Sequence, residues 1–328
     1  MPTTGVCRQL KRRDSNATGG PPADWLVAVP TRADDASAAR IEQNIVARLP
    51  TVPVVVIRNG HVATPARWNS LIERPHVHVL DRVGGGAARA RNVAIASLNT
   101  RTIVFVDDDV IVSHSALWTL VERQRADGAT LTTARVVPAD TAHHQLFDDS
   151  LGFDRGHGSR LWHAAPSSKP LSPMKAWQFG VGAAFAVDLP LLHGGDTPVR
   201  FDARLSNGRF CGGSEDTDFF YSLYLAGHRV SYAADAVVEH VFPLSKAAVS
   251  TKCRQYALSD GAFYAKWAKR ISATDMLGEV VGWCRRLGRN TIDIARRRPA
   301  VPFLTLLAEP LYKVVGGTTW ALVRRQSS

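Results

Sequence analysis

Residues 103–110 read Ile-Val-Phe-Val-Asp-Asp-Asp-Val, and this stretch constrains the chain more than any other. Ile103, Val104, Phe105 and Val106 have the composition of a buried strand. The carboxylates that follow cannot share a dry core with them, because an unpaired buried carboxylate is very costly. Asp107, Asp108 and Asp109 therefore belong at the strand's end, in water or facing cations. In extended backbone, residues i and i+2 project to one side. The spacing predicts that Asp107 and Asp109 converge on one hard cation, Mg2+ or Mn2+, shared with substrate phosphates. Asp108 is then the spacer. Taken alone, an acidic loop after a strand explains the triplet equally well.

The flanking sequence places the triplet in a cleft. Trp25–Val29 is an apolar run stopped by Pro30 and followed by Thr31 and Arg32. Ile41, Ile45 and Leu49 recur at helical spacing, and Pro50 closes that helix. Val52–Ile57 predicts a second strand turning at Arg58-Asn59-Gly60. Val77 and Val79 mark a third, and an Ala-rich helix over 87–98 precedes the Asp-bearing strand. Alternation of strand and helix implies parallel strands with helices on the faces, and ligands bind beyond the carboxyl ends of such strands. Pro30, Arg58 and the Asp triplet all fall at such ends.

Downstream, the spacing predicts a helix over 115–125, a strand over 129–137 and a long irregular connection over 138–174. His143, His144, His157 and His163 lie in that connection and form no metal-ligand pattern. Trp177–Val187, with Gly180 and Gly182 at its start, reads as a strand that another group approaches closely. Ser214 is the expected N-cap of a helix beginning Glu215-Asp216-Thr217-Asp218 and closed by Gly227. Three acids exceed what capping requires. Arg229–Ala233 and Val237–His240 read as two further strands.

The order of these features resembles family 2 glycosyltransferases of the GT-A fold over roughly residues 24–242. The resemblance rests on Gly86-Ala87-Ala88-Arg89-Ala90-Arg91-Asn92, Phe105-Val106-Asp107-Asp108-Asp109, Phe201-Asp202, Glu215-Asp216, Ala226-Gly227 and Val238-Glu239-His240. It implies a Rossmann-like nucleotide-diphospho-sugar transferase, an α/β protein with a mixed sheet flanked by helices and a C-terminal helical appendage. Residues 1–23 then form a disordered leader, 24–242 the catalytic domain and 243–328 a basic, mainly helical region.

Carried over by position, Asp107 and Asp109 match the family's Asp-x-Asp, which holds nucleotide and metal. Asp216 matches the catalytic base, with Glu215 as its neighbouring alternative, and His240 matches a further metal or diphosphate contact. Pro30, Thr31, Arg32, Arg91, Asn92, Asp108 and Gly182 fall where the donor nucleotide-sugar binds. Arg58 stands where many members carry an acidic residue that meets uracil, a departure that counts against a UDP-sugar donor and leaves GDP- and dTDP-sugars open. The implied reaction is an inverting, metal-dependent transfer to a hydroxyl of a glycan, lipid-linked or small-molecule acceptor. The chemistry is coherent independently of the resemblance. A metal stabilises the departing diphosphate, and a carboxylate on the opposite face removes the acceptor's proton.

The net charge of +11 is concentrated at the C-terminus, where residues 265–328 hold 12 Lys/Arg against 4 Asp/Glu. Leu277, Val280, Val281, Cys284 and Leu287 form an apolar helical face flanked by Arg285, Arg286 and Arg289. That pattern fits either a helix packed on the catalytic domain or an interfacial helix on an anionic membrane. Pro302, Glu309, Pro310 and Lys313 argue against a full span. Cys7, Cys211, Cys253 and Cys284 form no paired motif, which fits a reducing, cytoplasmic compartment with peripheral attachment to the membrane's cytoplasmic face. No signal peptide and no nucleic-acid partner are expected.

Competing classes fit less of the chain. A sugar-phosphate nucleotidyltransferase would carry a Gly-rich loop and a Lys after the first strand, where Pro30-Thr31-Arg32 stands. A phosphatase using an Asp nucleophile leaves Glu215-Asp216 and His240 unexplained. A non-enzymatic membrane binder explains only the basic tail.

Overall fold

The computed structural model describes residues 24–32, 34–59, 66–82, 84, 86–140, 154–164, 170–206, 213–241, 246–296 and 302–326. The expected leader, His143 and His144 lie outside them.

The strands are β1 (Trp25–Thr31), β2 (Val54–Asn59), β3 (Val77–Arg82), β4 (Thr102–Val106), β5 (Val110–Ile111), β6 (Leu131–Pro138), β7 (Arg160–Trp162), β8 (Ala184–Asp188) and β9 (Val230–His240). They form one mixed sheet in the order β3-β2-β1-β4-β8-β6-β9-β5, with β7 also paired to β9. The β3-β2-β1-β4 half is parallel, and β8 joins β4 antiparallel. The helices are α1 (Asp35–Asn44), α2 (Ala66–Ile72), α3 (Gly86–Ser97), α4 (His114–Asp127), α5 (Leu189–His193), α6 (Glu215–Leu225), α7 (Lys246–Lys266), α8 (Ala273–Ala295), α9 (Phe303–Leu307) and α10 (Glu309–Gln326).

Central strands are buried on both faces, which is why they read as unbroken apolar runs. Val54 and Val56 of β2, Val104 and Val106 of β4, and Ala184 and Ala186 of β8 join the core under α1, α2 and α4. Their neighbours Val55, Ile57, Ile103, Phe105, Phe185 and Val187 join the core under α3 and α6. The same alternation decides where the residues at the strand ends point.

Several elements depart from the expectations. β1 continues through Pro30 to Thr31. The Val27 amide donates toward β2, to the Pro53 carbonyl, so the nitrogen of Pro30 would face β4. Pairing with β4 has ended by then, at Ala28–Phe105, and no donor is needed there. The first helix stops at Asn44 and a 3-10 turn over Val46–Arg48 follows, with Ile41, Ile45 and Leu49 all fully buried. The expected irregular connection contains β7. Of the expected strand over Trp177–Val187, only Ala184–Val187 is strand, in β8; Trp177–Phe179 close a 3-10 helix, Pro173–Phe179. The two strands expected near the end are one, β9, with an irregularity where β6 pairs across Ala134/Arg135.

The C-terminal helices pack on this body. Lys266 of α7 donates to Asp202 Oδ2 at 2.9 Å and to Asp218 Oδ2 at 2.7 Å, and Trp267 Nε1 donates to Asp218 Oδ1 at 2.9 Å. Helices α7 and α10 touch through glycines: a Cβ on Gly261 would overlap the Lys313 carbonyl, and one on Gly316 the Leu258 carbonyl. Helix α8 is inverted relative to an ordinary surface helix. Its buried residues are the polar Asn290 and Asp293, whereas Met276, Leu277, Val280, Val281, Ile292 and Ile294 are exposed. No helix among the described residues is long and apolar enough to cross a membrane.

Candidate active site

The Asp triplet leaves β4 in a turn rather than as extended backbone, closed by a hydrogen bond from the Val110 amide to the Asp107 carbonyl at 3.2 Å. A turn removes the i, i+2 geometry, and the three carboxylates go to different partners. Asp107 accepts from Arg91 Nη2 at 2.8 Å. Asp108 is not a spacer: Thr31 Oγ1 donates to its Oδ2 at 2.6 Å, and Arg40 lies 3.8 Å from its Oδ1. Asp109 Oδ1 lies 3.3 Å from His240 Nε2. The pairing of Val110 with His240 across β5 and β9 brings these two together.

Arg91 is the hub. It is 3% exposed, lies beside the rings of Phe185 and Phe201, and also donates to Glu215 Oε1 at 3.2 Å. Parity explains the geometry. Asp107 continues the odd-numbered face of β4, the face that carries α3 and α6, which supply Arg91 and Glu215. Burial pushes the Asp107 and Glu215 carboxyls up, and Arg91 opposes the shift in both.

Asp216 lies one residue along and faces the open space. Its Oδ2 accepts from the Gly182 amide at 2.8 Å and its Oδ1 from its neighbour's amide, that of Thr217, also at 2.8 Å. Ser214 precedes this helix at φ 67°, ψ 13° and makes no side-chain cap, contrary to expectation. It is the one non-glycine residue with positive φ among the described residues. Such strain persists only where surrounding structure imposes it.

A cavity of about 880 Å³ joins these groups. Its lining includes Pro30, Thr31, Arg32, Arg91, Asp107, Asp108, Asp109, Gly182, Glu215, Asp216 and His240, so most of the residues singled out in the sequence come together. Two do not line it. Arg58 shares the even-numbered face of β2 with Val54 and Val56 and turns toward Trp68. Its Nε and Nη2 donate to both carboxylate oxygens of Asp81 at 2.6 and 2.7 Å. Asn92 is structural: its Nδ2 donates to the Phe201 carbonyl at 2.9 Å and its Oδ1 accepts from the Phe201 amide at 3.0 Å.

Sequence reasoning missed Asn59, which follows Arg58 on the opposite face of β2. It lines the cavity, and its buried Oδ1 has no hydrogen-bond partner among the described residues. Period-two alternation from Val56 was the available signal. Tyr256, Asp260 and Tyr264 of α7 and Asn290 and Asp293 of α8 also line the cavity. They lie beyond the reach of the motif pattern.

Fitness for a divalent ion can be tested on the donors. Among the described residues, no group of three or more His, Cys, Asp or Glu is placed to hold one. The Asp109–His240 pair nevertheless offers a carboxylate oxygen and an imidazole nitrogen at one point of the lining. Burial pushes the His240 imidazole down, toward the neutral form that ligation requires. Two protein ligands are compatible with Mn2+ or Mg2+, which fill their remaining positions with phosphate oxygens and water.

A family model described as glycosyltransferase-like family 2 matches residues 15–257. Among solved structures, the mannosyltransferase PcManGT from Pyrobaculum calidifontis, in complex with GDP-Man and Mn2+, is 16% identical with a TM-score of 0.56. That alignment covers 91% of this chain and 87% of that one. S. aureus TarS 1–349 is also 16% identical, over 93% of this chain and 92% of that one, with a TM-score of 0.46. No curated protein matches the sequence significantly. The mixed α/β sheet flanked by helices has the GT-A architecture, and the chain belongs to glycosyltransferase-like family 2.

Proposed function

We propose that this glycosyltransferase works by a single inverting displacement, with Asp216 as general base and a divalent ion at Asp109 and His240. The observation that carries the reading is the position of Asp216: a partly exposed carboxylate held by the Gly182 amide in the cavity that Asp109 and His240 also line. A carboxylate fixed in this way can take the proton of an attacking acceptor hydroxyl. Glu215, buried against Arg91, serves instead to position that arginine, and Arg91 orients Asp107. When bound, the ion supplies Lewis-acid stabilisation of the departing nucleoside diphosphate. Asp107 is not among its proposed ligands, because its carboxylate is engaged by Arg91.

Pro30, Thr31, Arg32 and Asp108 are proposed to hold the nucleotide of the donor. Arg58 no longer counts against a UDP-sugar, since it faces Asp81. Asn59 is the better candidate for reading a base, its Oδ1 accepting from a base N–H.

The acceptor is proposed to belong to a lipid-linked or cell-envelope glycan, with the enzyme seated on an anionic membrane surface. The inverted helix α8 supports this: its apolar side faces outward in the most basic part of the chain. A thermal-shift titration with UDP, GDP, dTDP and CDP, with and without Mn2+, tests the core reading. Stabilisation by one nucleotide that requires the ion is expected. A protein indifferent to all four with Mn2+ present does not use this donor chemistry.

A further inference from the structure

Residues 171–182 form an arm that is fastened at both ends to α6, the helix that carries Asp216. At its start the Leu171 amide donates to Tyr224 Oη at 3.0 Å, and Tyr221 Oη donates to the Leu171 carbonyl at 2.9 Å. At its end the Gly182 amide donates to Asp216 Oδ2 at 2.8 Å. Between them lies the 3-10 helix Pro173–Phe179, which brings every third side chain to the same side. Pro173, Ala176 and Phe179 are the buried set, and Trp177 is left facing outward, 49% exposed. A Cβ on Gly180 would overlap Thr133 Oγ1, so the arm lies closely against β6.

A tryptophan exposed to this degree leaves a large apolar surface in water, which a ligand can cover favourably. Trp177 does so inside the cavity, whose lining it shares with Arg155, Gly182 and Asp216. The Arg155 guanidinium lies 5.0 Å from the centre of its ring and restrains that ring from one side. Arg155 is also within electrostatic reach of Asp216. Ring, arginine and proposed base therefore occupy one region of the cavity. Trp118 provides the contrast. It is 37% exposed and has Arg125 at 5.7 Å from its ring, but it sits on α4 and does not line the cavity.

We propose that Trp177 is the acceptor platform of this transferase, its ring stacking against the C–H face of a pyranose whose hydroxyl edge is turned toward Asp216. A pyranose with equatorial hydroxyls carries its polar groups around the rim and presents axial C–H groups to each side, an apolar face that an aromatic wall of a binding site can cover. An axial hydroxyl on the stacked side lifts the sugar off the ring, so the platform selects among acceptors as well as holding them. The two fastenings to α6 fix the ring relative to the Asp216 carboxylate. In the reaction the acceptor oxygen bonds to the donor's anomeric carbon, its proton passes to Asp216, and the bond to the nucleoside diphosphate breaks. The platform rests on the reading of Asp216 as base given above, and assigns the acceptor side of the cavity to a residue outside the motif pattern.

The test is a nucleotide-release assay with Mn2+, using UDP-, GDP- and dTDP-linked hexoses and the methyl glycosides of glucose, galactose, mannose and N-acetylglucosamine as acceptors. At least one glycoside is expected to stimulate release saturably. Trp177→Ala and Trp177→Leu should each raise its KM by about tenfold or more, with the nucleotide concentration for half-maximal thermal shift changed by less than about twofold. Trp177→Phe keeps a flat ring and should recover most of the lost affinity, which bulk alone in Trp177→Leu should not. Trp118→Ala, the loss of an exposed tryptophan away from the cavity, should leave the KM unmoved. A smaller rise in Trp177→Ala overturns the platform, as does a rise in Trp177→Phe or Trp118→Ala equal to it. A Tm drop beyond about 5 °C in both Trp177→Ala and Trp177→Leu marks the ring as structural and overturns it too. So does a wild-type protein that binds nucleotide but responds to no glycoside. A wild-type protein that binds no nucleotide instead overturns the donor reading beneath it.

Discussion

The Gly182 amide donates to Asp216 Oδ2 at 2.8 Å, and a Cβ at position 182 would collide with that same oxygen. The glycine is thus both the donor that fixes the proposed base and the one residue small enough to let it approach. Gly182→Ala must displace Asp216. A shift of about 1 Å in a reacting group costs about 100-fold in rate. We expect a loss of that order in kcat, with nucleotide-induced thermal stabilisation retained.

Asp216→Asn keeps the shape and the hydrogen bond from Gly182 but loses proton affinity. Transfer is expected to fall by about 100-fold to 10,000-fold, while donor binding, followed by thermal shift, is kept. Transfer at the wild-type rate would remove Asp216 from the base role.

Asp109→Asn and His240→Ala each remove one of the two proposed ligands. Nucleotide stabilisation in either variant should become insensitive to Mn2+, and activity should require far higher Mn2+ concentrations. Asp107→Asn is expected to leave Mn2+ affinity closer to wild type, because Asp107 faces Arg91. A Mn2+ titration of all three variants separates the roles, and equal loss in all three would contradict the assignment.

Acid stability follows from the ties between α7 and the catalytic body. Burial works against ionisation of Asp202, but hydrogen bonds from Arg204 and Lys266 overcome it and hold its carboxyl well below the ordinary 3.8. A carboxyl depressed in the folded state contributes stability that is fully present above the unfolded value and lost as pH falls toward the folded one. Stability should therefore decline below about pH 4. Lys266→Met removes a cation shared by Asp202 and the 1%-exposed Asp218. It should cost about 3 kcal/mol at neutral pH and flatten the Asp202 contribution to the acid limb, as measured by urea denaturation across pH.

Membrane attachment predicts salt-sensitive sedimentation with vesicles containing phosphatidylserine and little with zwitterionic ones. Leu277 and Val281 are exposed on α8, so Leu277→Glu/Val281→Glu should abolish sedimentation without lowering the Tm. Sedimentation unaffected by this pair would exclude α8 as the contact.

Much of the catalytic half was legible in the chain. Continuous apolar runs located β1, β2, β4 and β8, because strands buried on both faces have no polar side to break the pattern. Asp107, Asp108 and Asp109 stood out by residue type, since three adjacent carboxylates have no place inside a core. Asp216 and His240 were instead given roles by the family resemblance, with Glu215 as the neighbouring alternative; all six line one cavity. Their pairing was not legible. It depends on the turn at Asp107–Asp109 and on the register that sets Val110 beside His240, and neither is encoded locally. Arg58 and Asn59 show the same limit: adjacent in sequence, they lie on opposite faces of β2, and only one reaches the cavity.

The sequence by itself determined that acidic groups gather at strand ends in an α/β protein with a basic, amphipathic C-terminus, because these features follow from composition and short-range periodicity. Tertiary structure alone decided which way that amphipathic helix faces. A helical pattern gives an apolar side and a polar side, but only the packing of α8 against α9, with its ion pairs to Glu309 and Lys313 of α10, turned Asn290 and Asp293 inward and left Leu277 and Val281 outside.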